Sequence, residues 1–255
     1  MAEDKTQPSE VKTVKVLVGI PKDGKTEPRA YDNRMELCFH LGALQALSAN
    51  GIYELCGVPF EYPKNIKFEF YIATIGRVFT ALARERITET ALSLGADYLF
   101  MIDDDMIEPT DLFENLFRHD VDIVAPLAFT RYPPHKPVLY ELKTGYDAVE
   151  KKEYYINYPV MNYPKNTLVQ CDAVGFGAVL IKVGVFRDIP KSWFMNTSPA
   201  GEDIHFCWKA GKHGKKIFMD TSVKLGHLSD PKEITEEVYE SNENIESLKG
   251  EYVKA

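Results

Sequence analysis

Ten residues constrain this chain more than any others: Asp97-Tyr98-Leu99-Phe100-Met101-Ile102-Asp103-Asp104-Asp105-Met106. An unbroken apolar run, Tyr98 to Ile102, meets three consecutive carboxylates. Such a short run fits a strand buried on both faces, as in a parallel sheet. A buried helix segment has the same apolar pattern, but Gly95 before it and Pro109 after it leave little length for one. The aspartates then stand at the carboxyl end of the strand, where open α/β sheets bind ligands. Adjacent carboxylates repel one another unless a cation neutralises them. Hard oxygen ligands suit Mg²⁺ or Mn²⁺, ions that bridge readily to phosphates. The competing reading is a solvated acidic turn capping a helix that starts near Pro109.

The rest of the chain supports a sheet. Val14 to Ile20 reads as a first strand, with a Pro-, Gly- and Lys-rich loop over 21–29 and a helix over 35–49 ended by Asn50-Gly51. Phe68 to Ile72 reads as a second strand. Phe79, Ala83, Ile87, Ala91 and Leu94 mark an amphipathic helix closed by Gly95. A short helix over 110–117 and a strand over 121–125 follow the aspartates. Alternating strands and helices predict an α/β fold with a mostly parallel sheet and helices on both faces. No linker divides the chain. The reading gives a domain over 13–228, with halves at about 13–126 and 127–228, and an exposed C-terminal helical extension over 229–255.

Beyond residue 130 the pattern loosens. Arg131 to Pro137 is too Pro-rich for regular structure and reads as an ordered loop or a lid, with Arg131 or Lys136 near phosphate. Residues 140–163 read as a hairpin or a mobile flap. Strands are expected over 168–172 and 175–182, the latter with Gly175 and Gly177 where something approaches the backbone closely. A helix starts at Glu202, and short strands over 216–219 and 223–225 lead to Gly226-His227. Trp193 and Phe194 read equally as core or as a surface that stacks on a sugar.

With a formal net charge of −8 over 255 residues, a general nucleic-acid binder is not expected. Cys38, Cys56, Cys171 and Cys207 are scattered, without a CxxC pair, so neither a zinc ribbon nor a redox motif is indicated. The polar N-terminus has no apolar signal core, and no run reaches transmembrane length. These features predict a soluble, cytoplasmic protein.

Three segments carry a family resemblance. Ala83-Arg84-Glu85-Arg86, followed by Gly95 to Met106, resembles the donor-binding half of a GT-A nucleotide-sugar glycosyltransferase of the family 2 type. Asp172 to Ile181 resembles the glycine-bearing acceptor-side strand of that family, and Gly201-Glu202-Asp203-Ile204-His205-Phe206-Cys207 its Glu-Asp helix start. The resemblance spans roughly residues 13–228 and implies a single GT-A (Rossmann-like) domain with a mixed sheet. It implies a metal-dependent transfer of a sugar from a nucleoside-diphosphate sugar to an acceptor hydroxyl. Asp105 is then the direct ligand of Mn²⁺ or Mg²⁺, with Asp103 contacting ribose or the metal through water and Asp104 turned elsewhere. His227 is the candidate third ligand, and its imidazole favours Mn²⁺. Asp203 is the candidate base and Glu202 orients the acceptor, although both positions also read as plain helix caps. A carboxylate at a helix N-terminus is held acidic, so burial has to offset that for Asp203 to work as a base. The loop at Ile20 and Pro21, with Asp23 after them, is where the nucleobase is expected.

Arg84 could reach the diphosphate or the base. Arg77, seven residues earlier, shares its side if the helix has begun there. His205 reads as structural. The acceptor class stays open among glycan, lipid, small molecule and modified base. The alternatives are a retaining glycosyltransferase on the same fold and a sugar nucleotidyltransferase, for which Gly19 to Lys25 is a poor phosphate loop.

Overall fold

The computed structural model describes residues 11–22, 27–197, 200–229 and 232–241. In chain order the elements are β1 (Lys12–Lys22), α1 (Pro28–Asn50), a ribbon of β2 (Glu54–Leu55) and β3 (Val58–Pro59), β4 (Ile66–Gly76), α2 (Thr80–Leu94), β5 (Tyr98–Ile102), β6 (Met106–Ile107), α3 (Leu112–Phe117) and β7 (Ile123–Leu127). There follow β8 (Leu139–Asp147), β9 (Lys152–Pro159), β10 (Leu168–Cys171), β11 (Ala173–Val174), β12 (Ala178–Lys182), α4 (Gly184–Asp188), α5 (Glu202–Lys212), β13 (Ile217–Lys224), β14 (Gly226–Ser229), β15 (Lys232–Ile234) and α6 (Glu236–Glu240).

The apolar run before the aspartates is β5, inside a seven-stranded sheet of order β10-β13-β7-β12-β5-β1-β4. Alternation along each strand sends side chains to opposite faces. Leu99 and Met101 of β5 join Leu17, Ile87, Ala91, Val179 and Ile181 on one face. Phe100 and Ile102 join Val16, Val18, Leu37, Leu41 and Leu44 on the other. Leu37, Leu41, Leu44 and Leu47 form the buried stripe of α1, and each contributes about 1.5–3 kcal/mol by leaving water. Thus α1 and α3 cover one face, and α2, α4 and α5 the other. Both α1 and α2 stop at a left-handed glycine, Gly51 and Gly95, a backbone conformation in which a Cβ would be strained.

The sheet is mixed. β1 runs parallel to β4 and β5, and β13 parallel to β7. Between these two parallel blocks β12 lies antiparallel to both β5 and β7, and β10 is antiparallel to β13. The insertion of β12 brings the glycine segment 175–177 against the end of β5, where Asp103 N–H donates to Gly177 O at 2.9 Å. Besides the β2-β3 ribbon there are two three-stranded sheets among the described residues: β11-β8-β9, which makes 140–159 a hairpin, and β15-β14-β6.

Several boundaries differ from those read in the sequence. β1 continues through Pro21 to Lys22, because β4 beside it is equally long and pairs with it to Gly76. α1 begins seven residues earlier than expected, with Pro28 in its first turn, a position where the missing N–H costs nothing. Phe79 precedes α2 and is 85% exposed, so the buried stripe of that helix starts at Ala83. The two strands expected over 216–225 are one, β13, whose pairing with β7 slips between Asp220 and Lys224. The C-terminal extension starts as strand β15, and the short α6 buries Tyr239 rather than lying free. The remainder of that extension, from 242, and Asp23 lie outside the described residues.

Candidate functional site

The acidic turn after β5 is pinned from two sides. Asp105 O accepts from Leu228 N at 2.9 Å, because β6 pairs with β14 and sets Met106 opposite His227. On the other side α1 supplies a clamp. Arg34 Nε donates to Glu108 Oε1 at 2.5 Å, and Arg34 Nη2 donates to Asp103 O at 3.0 Å. Asn33 exchanges two hydrogen bonds with the Glu108 backbone at 2.8 and 2.9 Å. The sequence reading missed this clamp. Its partners are 74 and 75 residues apart, and Asn33-Arg34 falls between the loop and the helix read from the sequence, with no local pattern to mark it.

Arg84 is the hub of the site. Only 2% exposed, it donates through Nη2 to both oxygens of Asp103 at 2.9 and 3.0 Å, and through Nε to Glu202 Oε1 at 3.1 Å. Its guanidinium also lies 5.4 Å from the centre of the Phe176 ring. Placing Arg84 off the apolar stripe allowed a solvated position, but the start of β12 folds over it. Glu202 and Asp203 open α5 behind Gly201, as the sequence predicts. Burial pushes Asp203 up to about 6 and the neighbouring Glu202 carboxylate adds to this, outweighing the opposing pull of Arg84 and of the backbone N–H groups. Desolvation therefore overcomes the helix terminus at this position. Asp103 is likewise pushed to about 6, its burial outweighing Arg84. The site thus holds three acids around one cation.

Across the turn, His227 Nδ1 lies 2.8 Å from Phe129 O and donates to it. This fixes the tautomer, so Nε2 carries the lone pair. That lone pair faces Asp105 Oδ2 at 3.3 Å. Burial holds His227 below its ordinary pKa and keeps the ring neutral. Two electron-pair donors facing each other is an arrangement that a cation stabilises. The guanidinium of Arg131 also forms an ion pair with Asp105 Oδ2. Arg131 sits on an ordered loop without helix or strand, as its prolines predict: Thr130 N donates to Lys136 O, and Phe129 bridges to Pro137. Among the described residues no three His, Cys, Asp or Glu side chains converge as a ready-made metal cage. Asp105 and His227 therefore face each other as a pair, and Asp103 is turned to Arg84.

Other expected residues fall elsewhere. Ile20 and Pro21 are buried within β1, opposite Thr74 and Ile75, rather than in a loop. Arg77 is exposed and left-handed (φ 62°), three residues before α2, so it does not share a helical side with Arg84. Asp104 is half-buried between the two acids that carry the contacts. Trp193 and Phe194, 2% and 5% exposed, belong to the core, with Trp193 Nε1 donating to Phe186 O and Ile189 O at 3.1 Å. His205 is buried against Tyr155 and Trp208, which is a structural position.

No described helix is long and apolar enough to cross a membrane. No family model matches the chain, and no curated protein matches it in sequence. In structure it is similar to A197 from STIV, at 18% identity and a TM-score of 0.50, over 87% of this chain and 94% of that one. It is also similar to GalNAc-T7 with UDP, GalNAc and Mn²⁺, at 12% identity and 0.48, over 84% of this chain and 43% of that one. A third likeness is to apo UDP-glucose pyrophosphorylase, at 8% identity and 0.44, over 94% and 99% of the two chains. Similarity at this level is one of fold and fixes no reaction. The chain has a GT-A-like fold, a mixed sheet with helices on both faces.

Proposed function

We propose that this protein transfers a sugar from a nucleoside-diphosphate sugar to an acceptor hydroxyl, with inversion at the anomeric carbon. The observation that carries the reading is the pairing of Asp105 Oδ2 and His227 Nε2, 3.3 Å apart, on the same turn that Arg84 ties to the Glu202–Asp203 helix start. Asp105 and His227 would hold Mn²⁺ or Mg²⁺, with phosphate oxygens and water completing the shell. When bound, such an ion supplies Lewis-acid stabilisation of the departing diphosphate. Asp203 takes the proton of the acceptor hydroxyl. The hydroxyl oxygen then bonds to the anomeric carbon, and the bond from that carbon to the diphosphate oxygen breaks with its electron pair on the diphosphate. A carboxyl poised near 6 is a stronger base than an ordinary aspartate, yet ionised at neutral pH. Glu202 orients the acceptor, Arg84 offsets the repulsion among the acids, and the fork of Arg131 suits a phosphate oxygen. The acceptor is a glycan, lipid, small molecule or modified base.

The test is a panel of UDP-, GDP-, CDP- and dTDP-sugars with purified protein, with and without Mn²⁺. One donor should raise the melting temperature by mass action and release nucleoside diphosphate in the presence of metal. Absence of binding by every donor overturns the proposal. Formation of a nucleoside triphosphate from a nucleotide sugar and pyrophosphate would replace it with nucleotidyl transfer.

A further inference from the structure

Away from the acidic corner, a cavity of about 340 Å³ opens between the C-terminal half of α5, β8 and β10. It adjoins a second, of about 240 Å³, with which it shares Thr144, Trp208 and Lys212. Nothing in the site described above uses either. The first has the size of a small-molecule site, for which about 300 Å³ is the usual lower bound. Its floor is apolar, with Leu142, Cys207 and Ile217, and Trp208 stands in its wall. The Trp208 ring is fixed by Tyr155, stacked with centroids 5.0 Å apart.

The charge around this cavity is opposite to that of the whole protein. The chain carries −8, but Lys212, Lys215 and Lys216 line the cavity against a single acid, Asp172. Asp172 Oδ2 already accepts the Leu142 N–H at 2.8 Å. Lys212 is paired with Glu153 and Lys215 with Asp188, in contacts exposed enough to be weak and readily exchanged. Lys216 makes no ion pair among the described residues. The Trp208 Nε1, the Thr144 hydroxyl and the Gln170 amide make no hydrogen bond to another described residue, so they can donate to a ligand. Three lysines, whose ammonium groups can swing to a ligand, and neutral donors around an apolar floor match a dianion carried on a less polar body.

We propose that this cavity binds a phosphomonoester, its phosphate among Lys212, Lys215 and Lys216 and its body against Trp208 and the apolar floor. Such a phosphate brings close to two negative charges and three acceptor oxygens at neutral pH. Of the two tryptophans in the chain, Trp193 is buried in the core, so a ligand here reports through Trp208.

The experiment follows tryptophan fluorescence of the full chain carrying Asp105→Asn, which weakens the donor corner. Phenyl phosphate is titrated at constant ionic strength, and vesicles of phosphatidylcholine with and without phosphatidic acid form a second arm. A saturable change is expected, with half-saturation raised about tenfold or more by a combined Lys215→Ala and Lys216→Ala variant, as loss of charge-assisted contacts predicts. A response to phenyl phosphate assigns the site to a soluble monoester, and a response to the vesicles alone assigns it to a lipid headgroup. Silence in both arms, or equal half-saturation in the lysine variant, overturns the proposal.

Discussion

Arg84 and Asp103 lie 19 residues apart, and one nitrogen of the guanidinium, Nη2, donates to both oxygens of the carboxylate at 2.9 and 3.0 Å. The same side chain reaches Glu202, 118 residues further along the chain. Removing it leaves three acids facing one another without their cation. Arg84→Ala should destabilise the protein by about 3 kcal/mol, the lower end for breaking a buried pair, since 28% of the Asp103 side chain still meets solvent. Arg84→Lys keeps the charge but not the fork, and should recover only part of the loss. Urea unfolding reads both: the midpoint falls and the slope is unchanged.

Asp203 should limit activity on the acid side. Its carboxyl is pushed up to about 6, so the rate should fall as pH drops through about 6, where the base becomes protonated. Asp203→Asn should cost about 10²–10⁴-fold in turnover and remove that acid limb. The sign for stability is opposite. A carboxyl whose folded pKa lies above its unfolded value binds more protons in the folded state, so its ionisation costs stability above pH 6, and that cost fades as pH falls toward 4. Asp203→Asn should therefore raise stability at pH 7, by about 0.5–2 kcal/mol, in step with lost activity. A thermal melt series from pH 4 to 8 checks the sign.

How much of this was legible in the sequence depended on range. Asp103, Asp105, Glu202 and Asp203 stood out because an apolar run or a helix start ended in acids, which is a local pattern. His227 came only with the family resemblance, since its neighbour Asp105 is 122 residues away and the β6–β14 pairing that joins them is two residues long on one side. The Arg34–Glu108 clamp left no local trace at all. Trp193 and Phe194 could not be assigned from sequence, because an aromatic pair after a proline has the same pattern in a core as on a sugar platform. Their burial under α4 and α5 decides for the core.

The glycines before β12 were read as places of close approach, and the structure shows that protein, not ligand, approaches them. A Cβ on Gly175 would lie 2.8 Å from Val138 Cβ, a stiff branched side chain. A Cβ on Gly177 would meet the flexible end of Met106 at 2.9 Å. Gly175→Ala should thus cost about 1–3 kcal/mol of stability, and Gly177→Ala distinctly less. Equal losses in chemical denaturation would contradict this packing.

Arg131 pairs with Asp105 Oδ2, the atom that the proposed divalent cation would also address. The consequence separates two affinities. Without Arg131, a metal ion alone no longer displaces a guanidinium, so Arg131→Ala should bind bare Mn²⁺ more tightly. A diphosphate arriving with the metal would lose the Arg131 fork, so the same variant should bind the metal–nucleotide pair more weakly. His227→Ala and Asp105→Asn remove ligands and should weaken both, by about tenfold or more. Mn²⁺ paramagnetic resonance, with and without nucleoside diphosphate, distinguishes the cases independently of turnover. If Arg131→Ala moves the two affinities in the same direction, the shared-oxygen account of this corner is wrong.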